Sequence, residues 1–299
     1  MTQSPPDHAA VDAGLVRRLV DEQHPPLAGL PVVYAAVGSD NHVFRLGDRH
    51  AVRLPRHARS AERMRHEQRW LAALAPDLPV AVPAPVHSGV PTRDFPWPWC
   101  ITAWFAGTQA AGRARGHNAV VAAPLAGFLN ALHRSAPAGH PPNEVRGRAL
   151  VEGNAAVRAR LRSGMVPHAV RVEELWAAAL DAAAWPGPAL WLHGDLHPGN
   201  LLVRGAALEA VVDFGELTAG DPATDLAAAW LVFDAAGRRA FQAGLGGQYD
   251  ADPDVWLRAR GWALLLATDL LAAGADLPGL HLIGSEALME LLTEDAWAG

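Results

Sequence analysis

The order of local signals along the chain predicts an α+β fold, with a sheet in the first third and helices in the remainder. Three observations carry that expectation. Five short β-prone runs, separated by turn residues, occur before residue 105. Beyond residue 106 apolar residues recur at helical spacing over long segments. Ala106-Gly107 stands where one pattern gives way to the other.

Residues 11–23 read as a helix, with Asp12 as its N-cap and Leu15, Leu19 and Val20 on one face. Runs 31–37, 42–47 and 51–54 form an antiparallel meander. Its turns are Gly38-Ser39-Asp40-Asn41 and Gly47-Asp48-Arg49-His50. Ser60 to Leu74 is a helix with Met64, Leu71 and Leu74 inward. Strands near 85–89 and over Trp97 to Phe105 complete a five-stranded sheet. Asn118 to His133 is a long helix with a broad apolar face, and 135–147 is a loop rich in Pro, Gly and Ala. Helices are expected near 148–163 and 168–184, ended by Pro186-Gly187-Pro188. From Pro222 the chain reads as helical, over about 222–235, 237–243, 253–274 and 279–293.

Half of the 299 residues are apolar, enough for two domains or one large two-lobed unit. The single Cys100 rules out an internal disulfide and fits a reducing compartment. All 25 basic residues are Arg, so no Gly-Lys-Ser/Thr phosphate loop exists. Met1 to Asp7 has neither the basic nor the apolar region of a secretory leader. The most apolar stretch, Gly261 to Gly274, carries Asp269. A soluble, cytoplasmic protein without a membrane partner is expected. Residues 1–204 hold 21 Arg against 16 acids, and residues 205–299 hold 4 against 15. The basic part suits a polyphosphate; the acidic part suits a cationic ligand, or serves solubility alone. A net charge of −6 without a basic cluster argues against nucleic acid.

The most informative stretch is His193-Gly194-Asp195-Leu196-His197-Pro198-Gly199-Asn200, followed by Val211-Val212-Asp213-Phe214-Gly215. It sets an Asp, an Asn and a second Asp at steps of 5 and 13 residues. Phosphoryl transfer from ATP needs one oxygen for the acceptor hydroxyl and oxygen ligands for Mg²⁺. Apolar runs at 189–192 and 201–203 suggest short strands pinning the loop. Asp195 is the catalytic candidate, its carboxylate accepting the hydroxyl hydrogen. A zinc site of His193, His197 and Asp195 would work best on a helix, which Pro198-Gly199 opposes.

These residues resemble the aminoglycoside phosphotransferase family, the small-molecule branch of the protein-kinase-like fold. The resemblance is close over HGDLHPGN, over Asp213-Phe214-Gly215 and over Gly220-Asp221-Pro222-Ala223-Thr224-Asp225-Leu226. It extends more weakly from about residue 30 to about residue 295. It implies a two-lobed fold: residues 1–105 as a nucleotide-binding lobe, 106–299 as a helical catalytic and acceptor-binding lobe, and a hinge near 102–107. It implies an O-phosphotransferase using ATP, with GTP as the other candidate, and Mg²⁺ held by Asn200 and Asp213. The acceptor would be a small molecule with a hydroxyl, an aminoglycoside among the candidates, and the consequence antibiotic inactivation. A macrolide, an amino alcohol or a sugar metabolite are rivals within the class, and a nucleotide-binding pseudokinase is the rival outside it. A monomer or a homodimer is expected.

By the same resemblance Arg53 stands where the family has its phosphate-binding Lys, with Glu67 as ion-pair partner and Glu62 as the rival. Arg can hold phosphate oxygens through two parallel bonds. Ser39 and the turn around it would meet the phosphates. Ala51, Ile101 and Leu202 are candidates for the walls of an adenine slot and Val212 for its floor. Thr102, Ala103 and Trp104 are candidates for backbone contacts. His193 and Asp225 would support the catalytic loop, whereas Asp221 reads as a helix cap. Glu216, Asp269 and Trp262 are the acceptor-binding candidates; Trp230 and Trp256 share with Trp262 either a stacking role or a place in the core.

Overall fold

The computed structural model describes residues 11–38, 40–274 and 277–294. Chain contacts divide these into two units. One runs to Pro76 and takes up Pro83–Ala106; the other holds Asp77–Val82 and the chain from Gly107 onward.

In the first unit, helix α1 (Ala13–Gln23) starts at Asp12, whose carboxylate accepts from the Leu15 amide at 2.8 Å. Strands β1 (Val32–Val37), β2 (Asn41–Leu46) and β3 (His50–Pro55) form the antiparallel meander. With β4 (Pro85–Gly89) and β5 (Trp99–Ala103) they make a five-stranded sheet in the order β1-β2-β3-β5-β4. Alternation gives the sheet two faces. Phe44, Leu46, Val52, Leu54, Trp99 and Ile101 pack with Leu15, Val16, Leu19 and Val20 of α1. Ala51 lies opposite Thr102 and Arg53 opposite Cys100, so these four share the other face. Helix α2 (Ala58–His66) packs against β3 and β5. It begins two residues before the expected Ser60, because the His57 ring accepts from the Ser60 amide at 3.2 Å. It continues through a widened π-type turn at Glu67–Leu71 into α3 (Ala72–Leu74).

The second unit opens with β6 (Thr108–Gln109). The helix expected from Asn118 is 3₁₀ over Arg115–Val121 and becomes α4 at Ala122–Leu132. Pro124 has no amide hydrogen and is tolerated only in a first helical turn, which fixes that start. Helices α5 (Asn154–Arg162) and α6 (Ala169–Leu180) are shorter than expected. Strands β7 (Leu190–Leu192), β8 (Leu201–Arg204), β9 (Ala207–Val211) and β10 (Thr218–Gly220) pair as two small sheets, β6-β8-β9 and β7-β10. Ala81 bridges Ala210, and the Val211 amide donates to Ala81 O at 3.0 Å, which ties 77–82 to this unit.

The run expected at 222–235 divides into α7 (Ala223–Leu226) and α8 (Ala228–Leu231). Helices α9 (Ala235–Gly244), α10 (Val255–Ala273) and α11 (Pro278–Glu294) follow. Consecutive residues of α10 from Gly261 to Thr268 are buried, as in a helix enclosed on all sides, with α6, α7 and α11 packed around it. No helix of the described residues is long and apolar enough to cross a membrane.

Candidate active site

The loop between β7 and β8 is built on glycine geometry and a buried carboxylate. Gly194 has φ +86°, and a Cβ there would stand 2.5 Å from the Glu216 carbonyl oxygen. Asp225, buried on α7, accepts from the His193 amide at 2.8 Å and from the Gly194 amide at 2.8 Å, one bond to each oxygen. The first of these oxygens also takes the Nε2 hydrogen of His133 at 3.1 Å. His133 Nδ1 then accepts from the Tyr249 hydroxyl at 2.5 Å. Burial, with the Asp225 charge adding to it, pushes the Tyr249 phenol far up, so it remains a donor. His193 is also buried. Its Nε2 donates to Val212 O at 2.9 Å and its Nδ1 accepts from the Asp195 amide at 3.2 Å, which fixes its tautomer.

Asp195 follows this anchor with its side chain 27 % exposed. The Asn200 amide nitrogen donates to Asp195 O at 2.9 Å and to its Oδ2 at 3.4 Å. His197 Nε2 lies 3.6 Å from the same Oδ2, while its Nδ1 accepts from the Gly199 amide at 3.1 Å. Arg146 Nη2 lies 3.6 Å from Oδ1. Burial alone would raise the Asp195 carboxyl. The Nε2 side of His197 directed at Oδ2, then the Arg146 charge, outweigh it and hold the group well below the usual carboxylate range. Such a weak base can orient a hydroxyl but takes up its proton only late in a transfer.

The Val212 amide donates to Asn200 O at 2.9 Å, so Asn200 and Asp213 flank one inter-strand hydrogen bond. With the Asn200 nitrogen turned to Asp195, its Oδ1 has no hydrogen-bond partner among the described residues. Asp213 has φ +64°, the left-handed region rare for a side chain other than glycine. Its carboxylate has no hydrogen bond or ion pair among the described residues. Two hard oxygen donors suit Mg²⁺, which takes its other ligands from water and phosphate. Among the described residues no three His, Cys, Asp or Glu side chains are grouped to hold a metal, and both ring nitrogens of His193 are engaged.

On the first unit, Arg53 forms a buried two-pronged ion pair with Glu67, not with Glu62. The widened turn beginning at Glu67 presents that carboxylate to β3. Ala51 shares the Arg53 face of the sheet, but Ile101 does not. Strand alternation sends Ile101 into the core with α1, which corrects its assignment to an adenine wall. Thr102 is buried, Ala103 exposed and Trp104 half-buried. The Trp104 amide already donates to Arg49 O at 2.8 Å, and the Arg45 guanidinium lies 5.4 Å from its ring. Ser39 lies outside the described residues. On the second unit, Leu202 and Val212 are half-buried.

Two of the acceptor candidates pair with side chains of the chain itself, and Trp262 and Trp230 lie in the core. Glu216 accepts from the Asn143 amide at 2.6 Å. Asp269 pairs with Arg160 and lies 3.5 Å from Arg146. Trp262 is 1 % exposed, and Trp230 is also buried. Their stacking role is corrected to core packing, because α10 is enclosed by other helices. Asp221 is structural: its Oδ1 accepts from the Ala223 amide at 2.9 Å and its Oδ2 from Arg258 Nε at 2.7 Å. Arg146 was missed, because it sits in a stretch that reads only as loop. The local signal was Asn143 three residues before it and Gly147 directly after.

A family model described as "Phosphotransferase enzyme family" matches residues 32–262. The GDP complex of wild-type aminoglycoside 2'-phosphotransferase-IIIa is similar in structure, with a TM-score of 0.67 and 19 % identity, over 95 % of this chain and 99 % of that one. The GDP and kanamycin complex of APH(2'')-IIIa gives 0.68 and 18 %, over 94 % and 98 %. A macrolide 2'-phosphotransferase from Brachybacterium faecium, as apoenzyme, gives 0.58 and 21 %, over 93 % and 97 %. At these identities the likeness is one of fold. No curated protein matches at a significant level.

Proposed function

The chain belongs to the phosphotransferase enzyme family, and we propose that it transfers the γ-phosphate of ATP to a hydroxyl of a small molecule with the help of Mg²⁺. The observation that supports this most is the loop in which Asn200 gives its amide nitrogen to Asp195 while its oxygen and the Asp213 carboxylate have no partner among the described residues. In this reading Asp195 accepts the hydrogen of the acceptor hydroxyl. The hydroxyl oxygen bonds to the γ-phosphorus as the bond to the β,γ-bridging oxygen breaks, ADP leaves, and the proton passes late to Asp195. Asn200 Oδ1 and the Asp213 carboxylate would hold Mg²⁺, which when bound offsets charge on the β- and γ-phosphate oxygens. Arg53 does the work expected of a Lys, with Glu67 fixing the plane of its guanidinium. That arrangement argues against a pseudokinase, whose support was the missing Lys. GDP occupies one solved relative and ATP another, so both nucleoside triphosphates belong in the test.

For the acceptor, an aminoglycoside is the first choice, because solved relatives are complexes with kanamycin and with streptomycin. A macrolide is the second, favoured by the macrolide 2'-phosphotransferase fold match. The acidic last third adds less than its charge suggests. Asp221 and Asp252 share the single charge of Arg258, which already counts within that third, and Asp269 pairs with Arg160 from outside it. ADP release with ATP or GTP and Mg²⁺ over a panel of aminoglycosides, macrolides and amino alcohols tests the proposal. Acceptor-stimulated release that vanishes in Asp195→Asn is the expected result. Full activity of that variant with a responsive acceptor would sink the catalytic assignment.

A further inference from the structure

One cation reaches the catalytic loop from a segment that the reaction so far does not use. Arg146 Nη2 stands 3.6 Å from Asp195 Oδ1 and 3.5 Å from Asp269 Oδ2, and Arg160 takes the other Asp269 oxygen. Asp195, Arg146, Asp269 and Arg160 thus alternate in charge from the loop to α5.

The backbone around Arg146 is fixed on both sides. Asn143 Oδ1 accepts from the amides of Val145 and Arg146, each at 2.9 Å, while its Nδ2 donates to Glu216. Gly147 has φ +74°; its amide donates to Thr224 Oγ1 at 3.2 Å and its oxygen accepts from the Asp221 amide at 3.1 Å. Gly220 lies so close that a Cβ on it would stand 1.9 Å from Gly147 O. The side chain is nine-tenths buried, and its Nε is a buried donor with no partner among the described residues. The fold keeps a cation here although that donor is left unmade, which is unfavourable.

We infer that Arg146 is a positioning residue for the phosphoryl transfer: it orients the Asp195 carboxylate toward the acceptor hydroxyl, and Asp269 with Arg160 braces it from behind. The division of labour on Asp195 follows from the geometry. Oδ2 faces Asn200 and His197, and Oδ1 faces Arg146. At 3.6 Å the guanidinium attracts Oδ1 without a tight hydrogen bond, so a lone pair stays free for the hydroxyl. Asp269 then serves Arg146 and not an acceptor amine. The inference rests on the proposed role of Asp195 in meeting that hydroxyl.

The test uses the full chain as wild type, Arg146→Met, Arg146→Lys, Asp269→Asn and the Arg146→Met/Asp269→Asn double variant. ADP release is followed with ATP and Mg²⁺, with kanamycin as acceptor and with water alone. Arg146→Met should lower kcat by about 10- to 100-fold while KM for ATP stays within about twofold. Arg146→Lys should recover part of the loss. Asp269→Asn should lower kcat several-fold in the wild-type background and add nothing to Arg146→Met, since it acts through Arg146. Crystal structures of wild type and Arg146→Met should show the Asp195 carboxylate turned to a new rotamer. A kcat for Arg146→Met near the wild-type value, a loss explained by the unfolded fraction, or independent multiplying effects of the two sites would overturn the inference. If the wild type turns over neither kanamycin nor water, it is the acceptor reading that fails. The crystal comparison then decides for Arg146, and an unmoved Asp195 overturns its role.

Discussion

Arg53 and Glu67 face each other inside the first unit as a two-pronged ion pair, with Nη2 to Oε1 at 3.1 Å and side-chain exposures of 10 % and 2 %. The pair exists because β3 alternation turns Arg53 to the α2 face and the widened helical turn brings Glu67 to it. Removing one partner leaves a buried charge, so Glu67→Gln should cost about 3–5 kcal/mol in chemical denaturation. An apolar double variant, Arg53→Met/Glu67→Leu, should regain most of that stability while the KM for ATP stays raised. Recovery of ATP affinity along with stability would mean that Arg53 serves the fold and not the nucleotide.

Asp225 holds the loop between β7 and β8 through two backbone amides and is itself held by one imidazole, all in full burial. An amide offers one acceptor oxygen where the carboxylate offers two. Asp225→Asn should therefore destabilise the protein by about 1.5–3 kcal/mol, the range for hydrogen bonds to a charged group. It should lower kcat more than it raises KM, because the loop that carries Asp195 loosens. Amide hydrogen exchange at Gly194 should accelerate in step; unchanged protection at Gly194 would refute the support role.

Asp213 gives the opposite expectation. Its carboxylate touches no partner among the described residues, and Asn tolerates the left-handed backbone about as well as Asp. Asp213→Asn should melt within a degree or two of wild type and lose saturable Mn²⁺ binding in a titration followed by electron paramagnetic resonance. Strong destabilisation, or undiminished Mn²⁺ binding, would mean that the carboxylate is there for the fold.

Much of this was legible in the sequence, for identifiable reasons. The meander announced itself through turn residues at short spacing, and the loop through Asp195, Asn200 and Asp213 on a scaffold of apolar runs. What was not legible depends on pairing at a distance. Strand β9 is too rich in helix-forming Ala, Leu and Glu to read as a strand, and it takes its conformation from β8 and Ala81. Ile101 lies next to the right residues in sequence but on the other face, and only the register Val52 to Ile101 reveals that. Arg146 lies 49 residues before Asp195, in a loop whose composition carries no period.

Cys100 shares its face of the sheet with Arg53 and is buried. Burial pushes its thiol up to about 12, with the positive charge of Arg53 opposing and Glu67 adding to the rise. A raised thiol pKa means that almost no thiolate forms near neutrality. The folded protein should leave a disulfide exchange reagent unreacted at about pH 8, with one thiol released on unfolding. Fast stoichiometric reaction of the native state would contradict this packing.

Arg258 holds Asp252 with two bonds, one from Nη1 at 3.2 Å, and Asp221 with Nε at 2.7 Å and Nη2 at 3.4 Å, while Nη1 also reaches Ala183 O at 2.9 Å. The hydrogen bond from Arg258 holds the Asp252 carboxyl below its usual range; burial opposes it, and the Arg258 charge and the Asp254 amide assist. The folded state thus binds this proton more weakly than the unfolded chain does. Its stabilisation is complete above the unfolded value of about 3.9 and is lost as pH falls through the lower folded value. The melting temperature should therefore decline below about pH 4. In Asp252→Asn that decline should be shallower, on top of a loss of about 1–3 kcal/mol at neutral pH. Parallel acid limbs for wild type and variant would show that the acid sensitivity arises elsewhere, since a group that no longer titrates cannot contribute to the slope.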